Sequence, residues 1–286
     1  MSAPTVQLVK LEVEGGAHWA VRTEVGNAPL RVGLDNLLQM SLVEARAAVE
    51  SAGVAADLGG ILLPPLDSQE VWGAGVTYEQ SRAGRIEEST EAGVYDRVYI
   101  ARRPEVFFKA TAQRVVGDGE PIGVRADSPW NTPEPELGLV LNAAGEIFGY
   151  VVGDDVSSRS IEGENPLYLS QAKVYDRSCA LGPGIVPVWE APAPPFDISL
   201  RVSRGDSVAF EGSTSTARIT RRFEDLAGWL MAALTFPVGA VLLTGTGIVP
   251  DESFSLRPGD VVTIDIPRIG TLTNPVILVG RDLDQE

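Results

Sequence analysis

The stretch 134–155 constrains this chain more than any other. It reads Glu134-Pro135-Glu136, an apolar Leu-Gly-Leu-Val-Leu, Asn142-Ala-Ala-Gly145, a second apolar run, and then Asp154-Asp155. Two apolar runs around a loop bounded by Asn and Gly predict a β-hairpin. Side chains two apart on a strand share a face. With the loop at 142–145 and Leu141 opposite Glu146, Glu136 faces Val151. The face carrying Glu134 and Glu136 then also carries Asp155. Three carboxylates on one face repel one another unless a cation sits among them. An all-oxygen site of that kind suits Mg²⁺, Mn²⁺ or Ca²⁺. In this register Asp155 lies beyond the partner of Glu134, so a bulge or bend must bring the three onto one ion. The alternative reading is the solvated face of an edge strand, with Pro135 blocking further pairing.

Composition narrows what such a site could serve. A length of 286 residues allows one large domain or two unequal ones. No run approaches the ~20 apolar residues of a membrane span. The N-terminal residues lack the basic region and apolar core of a signal peptide, so the expected location is cytoplasmic. A net charge of −16 argues against a nucleic-acid partner. It does not exclude a small anionic substrate, because a bound metal inverts the local field. The lone Cys179 excludes an internal disulfide, and the lone His18 argues against histidine triads and imidazole-rich zinc sites. Lysine is also scarce: Lys10, Lys109 and Lys173 are all there are. Arg stays protonated, whereas a buried Lys can lose its proton. A lysine retained inside a polar motif is therefore a candidate for chemistry, the alternative being a surface ion pair.

Taken in order, residues 5–13 and 18–22 read as strands, and 35–52 as a helix broken or capped near Ser41. Residues 1–65 are expected to form a small N-terminal α+β domain, and 66–286 the catalytic domain. Val71 to Tyr78 reads as a buried strand with glycines where backbone or ligand comes close. The polar segment 79–96 is either a lid over a site or a solvated surface helix. On a strand beginning near Arg103-Pro104, Glu105 and Lys109 face the same way. Leu181-Gly-Pro-Gly184 reads as a turn. Residues 198–210 form a hairpin, and 222–235 have helical periodicity. Strands are expected at 241–244, running into the Gly245-Thr246-Gly247 loop, at 261–266 and at 274–279. Short strands separated by Gly/Pro turns predict an α+β fold that is mostly β. The Gly-Thr-Gly loop lacks the spacing and βαβ frame of a dinucleotide fingerprint.

Several segments together resemble the fumarylacetoacetate hydrolase superfamily. They are Gly73-Ala-Gly-Val-Thr-Tyr78, Phe107-Phe-Lys109, Glu134-Pro-Glu136-Leu-Gly, Gly149 through Asp155-Val-Ser-Ser-Arg159, Leu181-Gly-Pro183, Leu243-Thr-Gly-Thr246 and Arg257-Pro-Gly-Asp260. They follow the family's order over roughly residues 70–280. The resemblance implies a rolled mixed β-sheet, a divalent metal held by Glu134, Glu136 and Asp155, and a homodimer or homotetramer. Hydrolytic members carry a His shortly after a Gly-Leu-Asn-Tyr-like segment. Here the corresponding run is Thr77-Tyr78-Glu79-Gln80-Ser81-Arg82, without one. The segment from Asn165 through Lys173 to Pro183 is similar to the 2-keto-3-deoxy-D-arabinonate dehydratase branch. That branch turns a 2-keto-3-deoxy pentonate into 2-oxoglutarate semialdehyde.

The resemblance leads to an expected mechanism. A divalent cation chelates the carboxylate and carbonyl of a 2-keto acid and stabilises an enolate. Lys173, partly desolvated and with a depressed pKa, removes the C3 proton. Glu105 protonates the departing hydroxyl, unless it serves only as a salt-bridge partner of Lys109. A Schiff base on Lys173 is the competing role. Thr246 and Gly245 would offer backbone N–H groups to the substrate carboxylate. Lys109, Arg159 and Tyr78 are further candidates for substrate contact, with Arg159 alternatively supporting Asp155 or packing structurally and Lys109 open to either role. The alternatives in function are a metal-dependent C–C hydrolase or decarboxylase of an acylpyruvate-like acid, and a non-catalytic metal-binding oligomer.

Overall fold

Three N-terminal strands, β1 (Gln7–Val13), β2 (Gly16–Thr23) and β3 (Gly26–Pro29), form an antiparallel meander. The computed structural model describes residues 6–52, 58–79 and 97–281. The possible lid at 79–96 therefore falls, apart from Glu79, outside the described residues. After β3 come short helices at Leu34–Leu37 and Leu42–Glu50. Ser41 does separate them: its hydroxyl accepts from the Glu44 N–H, and the Glu44 carboxylate accepts from the Ser41 N–H. The chain continues through β4 (Ile61–Leu63), β5 (Glu70–Gly75), β6 (Glu105–Ala110), β7 (Val115–Val116), β8 (Ile122–Arg125) and β9 (Asn131–Thr132). The central hairpin is β10 (Pro135–Leu141) and β11 (Ile147–Asp155), followed by β12 (Ser157–Ser158). Helices Arg159–Glu164 and Leu169–Lys173 then lead into β13 (Cys179–Pro187). The remainder comprises β14 (Asp197–Arg204), β15 (Ser207–Ser215), a helix at Phe223–Met231, β16 (Ala240–Leu243), β17 (Asp260–Ile266) and β18 (Gly270–Val279).

Strand order in the larger sheet is β3-β2-β1-β13-β11-β10-β16-β5-β6, with β4 on β1 and β7 on β13. The smaller sheet runs β15-β14-β17-β18-β8. Pairs β5–β16, β7–β13 and β8–β18 are parallel and the others in these two sheets antiparallel, so both sheets are mixed. The fold is α+β and mostly β.

The two central strands, β10 and β11, are covered on both faces, which explains their continuous apolar runs. Leu137, Leu139, Leu141 and Val152 pack toward Leu200, Ile264 and Leu272 of the smaller sheet. Val140, Val151, Leu181 and Val241 pack in a second core with Leu34, Leu37 and Leu38 of the N-terminal helix and the residue after it. The carboxylates at 134, 136 and 155 continue the Val140/Val151 face toward one end of the hairpin.

Two expectations need correction. Leu181-Gly-Pro-Gly184 is not a turn but the middle of β13, between β11 and β1. A Cβ on Gly184 would sit 2.5 Å from the Leu8 carbonyl, so glycine here permits close approach of strands. The helix expected over 222–235 stops at Met231.

Candidate metal centre

The hairpin register decides whether the three carboxylates meet. Pro135 pairs with Asp154 and Glu136 with Gly153, and the Asp155 N–H donates to the Glu134 carbonyl at 3.0 Å. Glu136 therefore does not face Val151, as the simple loop predicted. Two single-residue offsets produce the change. The turn is held by Asn142, whose N–H donates to the Glu146 carbonyl and whose Oδ1 accepts from the Ala144 and Glu146 N–H groups. Leu141 consequently pairs with Ile147. A register shift then skips Phe148, and Val140 pairs with Gly149. One offset alone would turn Asp155 to the opposite face; two preserve the face and slide Asp155 opposite Glu134. The Phe148 side chain at the bulge is fully buried, edge-on to Trp189 at 5.5 Å.

Glu134, Glu136 and Asp155 are all buried, and one oxygen from each lies within 4.8 Å of the others. Two like charges about 4 Å apart repel by about 4 kcal/mol at an effective dielectric of 20. Three such carboxylates cannot stay ionised together without positive charge nearby. Burial foremost, then the charges of Asp155 and Glu134, push the Glu136 carboxyl well above the usual carboxylate range. On the other face of the strand, burial foremost raises Asp154 to about 7. Its Oδ1 accepts the Glu134 N–H at 2.9 Å.

Three cationic side chains answer this charge. Lys173, at the end of its short helix and 1% exposed, donates to Glu134 Oε2 at 2.9 Å, Asp155 Oδ2 at 3.0 Å and Ser157 Oγ at 2.6 Å. The Phe107 ring lies 5.5 Å from its ammonium. Arg159 pairs with Glu134 at 2.9 Å and Glu162 at 3.2 Å, and donates to Thr132 Oγ1. It thus supports Glu134, where the sequence suggested Asp155. Lys109 pairs with Asp155 Oδ1 at 2.5 Å.

The remaining candidates surround this group. Gly245, with φ +88°, donates its N–H to Glu136 Oε2 at 2.6 Å, so that group orients a carboxylate of the triad. Thr246 lines the cleft, and its hydroxyl accepts from the Ile248 N–H. Tyr78 is fully buried, its ring against Gly247; burial, with a smaller contribution from Glu136, raises its hydroxyl pKa. Glu105 is half-buried on β6, its carboxyl across the Cα of Gly75, which lines the cleft. His18 is exposed on β2, outside the cleft. Sequence reasoning overlooked Ser157 and Phe107. The period-two spacing Asp155, Ser157 was the signal for the first, and Glu105, Phe107, Lys109 for the second.

Three buried oxygen donors within mutual reach are the ligand chemistry of a hard divalent cation, and Mg²⁺ fits them. A wider cleft of about 420 Å³ between Gln7 and Arg268 carries no such group of buried carboxylates among the described residues.

Residues 71–277 match the fumarylacetoacetate (FAA) hydrolase C-terminal family. The chain is 51% identical over 216 residues to the probable 2-keto-3-deoxyxylonate dehydratase of Haloferax volcanii, covering 75% of this chain and 74% of that protein. It is 47% identical over 217 residues to the 2-dehydro-3-deoxy-D-arabinonate dehydratase of Saccharolobus solfataricus, covering 74% and 73%. Its fold superposes on a 2-keto-3-deoxy-D-arabinonate dehydratase complexed with magnesium and 2,5-dioxopentanoate. The TM-score is 0.83 at 36% identity, covering 96% of this chain and all of the other.

Proposed function

Because the chain belongs to the fumarylacetoacetate hydrolase family, we propose that it is a hydro-lyase. In this reading it removes water from a 2-keto-3-deoxy pentonate to give 2,5-dioxopentanoate, using a divalent cation. The observation that carries this reading is a buried lysine inside a cradle of carboxylates, with His18 exposed on another strand. Family hydrolases resemble one another in a histidine that this cleft lacks among its described residues. The two dehydratase relatives, at 47–51% identity, support the same chemistry.

In this reading Glu134, Glu136 and Asp155 hold Mg²⁺. The cation supplies Lewis acidity when bound, polarising a 2-keto carbonyl and acidifying the neighbouring C–H. Lys173 takes a proton from C3 after giving up one of the three it directs at Glu134, Asp155 and Ser157. Glu105 donates a proton to the C4 hydroxyl, which leaves as water with the electron pair of the C4–O bond. A later proton shift from C5 yields the aldehyde, so the net change is loss of one water. The Thr246 region orients the substrate carboxylate, with Arg159 at the cleft wall and Tyr78 behind it. Phe107 and Val76 make one side of the cleft apolar and restrict water around the base.

The decisive experiment supplies a 2-keto-3-deoxy pentonate and a set of acylpyruvates to the Mg²⁺-loaded protein. Formation of 2,5-dioxopentanoate from the pentonate is expected. Cleavage of acylpyruvates without dehydration would replace this reading with a C–C hydrolase. Tight Mg²⁺ binding without any turnover would leave a non-catalytic metal protein. Lys173→Ala is expected to lower kcat by about 10²–10⁴-fold while metal still binds. Borohydride with substrate adds mass at Lys173 only if an imine forms. A cytoplasmic location and a homodimer or homotetramer belong to the same proposal, the assembly supported by the exposed Leu167 and Tyr168 beside the Lys173 helix. Light scattering tests the assembly.

A further inference from the structure

Lys109 is a fully buried lysine that is not among the residues lining the cleft. Its ammonium donates to the Lys173 carbonyl at 2.6 Å and the Val156 carbonyl at 3.0 Å, and forms an ion pair with Asp155 Oδ1 at 2.5 Å. Two of its three donors are spent on backbone carbonyls and its charge is paired with Asp155, so protein oxygens hold the ammonium. We propose that Lys109 is a positioning residue that fixes the carboxylate of Asp155 and the backbone of Lys173 against each other. The proposal rests on the reading of Asp155 as a metal ligand and of Lys173 as the base.

Each contact has a distinct consequence. Lys109 holds Oδ1 of Asp155 while Lys173 holds Oδ2, so the two ammonium groups set the rotation of that carboxylate. The Lys173 helix has only five residues, too short to hold its own shape. Its last carbonyl is anchored from outside, by Lys109 and by the Ser178 hydroxyl at 2.9 Å. Lys109 thereby ties β6 to the end of β11 and to the helix bearing the base. Glu105 and Phe107 stand on the same face of β6, so one strand contributes an acid, an apolar wall and the clamp.

Two effects of removing the ammonium have opposite signs, which makes the idea testable. As a mere counter-charge, Lys109 repels a cation, and its loss would tighten metal binding. As a clamp, its loss frees Asp155 and weakens binding, by the 10–100-fold typical of groups that orient a metal ligand. The measurement is Mn²⁺ affinity by electron paramagnetic resonance, with kcat and KM, in Lys109→Met and the parent. We expect the variant to bind Mn²⁺ at least about tenfold more weakly, and kcat to fall more than KM changes. Equal or tighter Mn²⁺ binding in a folded variant overturns the proposal. A parent that binds no Mn²⁺ removes the metal-ligand reading itself and this proposal with it.

If Lys109→Met does not fold, the parent protein answers directly. Only three lysines exist, so ¹⁵Nζ labelling gives three ammonium signals, and Lys10→Arg removes one. The Lys109 signal should exchange slowly, shift on adding Mg²⁺, and stay unmoved by pyruvate without metal. A shift with pyruvate alone would make Lys109 a substrate contact and overturn the proposal.

Discussion

Glu105 lies where it does because position 75 has no side chain. A Cβ there would collide with the Glu105 carboxyl. That carboxyl is the movable end of a side chain, so Gly75→Ala should fold and displace the acid. We expect kcat to drop by about 10²-fold, the share of a general acid, with Mn²⁺ affinity retained. Unchanged turnover would remove Glu105 from the mechanism. Individual residues were legible in the sequence where type and spacing coincide, as for Glu134, Glu136 and Asp155; the scarcity of lysine marked Lys10, Lys109 and Lys173 alike, and only the fold sets Lys173 beside the three carboxylates. The partner of Arg159 was not legible. Which carboxylate a guanidinium reaches depends on where its helix starts, and the Arg159 N–H is fixed by the Trp130 carbonyl, far away in sequence.

At the scale of elements, the hairpin was legible but its register was not. Alternation and the Asn/Gly loop announce two strands; the bulge at Phe148 depends on packing against Trp189, which no local pattern encodes. The Gly-Pro-Gly run in β13 was misread for the converse reason. Residues that usually make turns serve there because neighbouring strands press close. The turn leaving β16 offers a test. Gly245 has φ +88°, and a Cβ would collide with Thr77 Oγ1, itself bonded to the Thr244 carbonyl at 2.6 Å. Gly245→Ala should displace the N–H that holds Glu136. We expect Mn²⁺ affinity to fall about 10–100-fold, read by titration in a variant with native circular dichroism. Parent-like affinity would show that this N–H does not orient the ligand.

Across the whole molecule, the N-terminal meander is fastened to the rest partly through Asp67. Its carboxylate accepts from Lys10 at 2.8 Å, from Trp19 Nε1 at 3.0 and 3.1 Å, and from the Asp35 N–H at 3.3 Å. Burial opposes its ionisation, but the bonds from Lys10 and Trp19 outweigh burial and lower its pKa. The sign follows from linkage: the folded state binds the proton less readily than the unfolded chain. The stabilisation is therefore present above the unfolded pKa of about 4 and lost as pH falls through the lower folded value. Asp67→Asn should cost about 1.5–3 kcal/mol at pH 7, as hydrogen bonds to a charge do. In urea titrations the gap to the parent should narrow below about pH 4; a constant gap would refute the linkage. Metal is the second global lever. Mg²⁺ at about 100 times its Kd should add about 2.7 kcal/mol. Chelation should lower Tm by several degrees in the parent and by much less in Glu136→Gln.

By itself the sequence determined a mostly β chain, a central acidic hairpin, and a site with lysine available and histidine scarce. These follow from period, turn chemistry and composition, which are local properties. The tertiary structure decided the rest. It set the two-residue slide that puts Asp155 opposite Glu134, gave Arg159 to Glu134, turned Gly245 toward Glu136, and enclosed Lys109 beneath Asp155. Each depends on contacts between residues far apart in the chain. Burial makes those contacts strong, because an unpaired charge in the interior costs several kcal/mol more than a paired one.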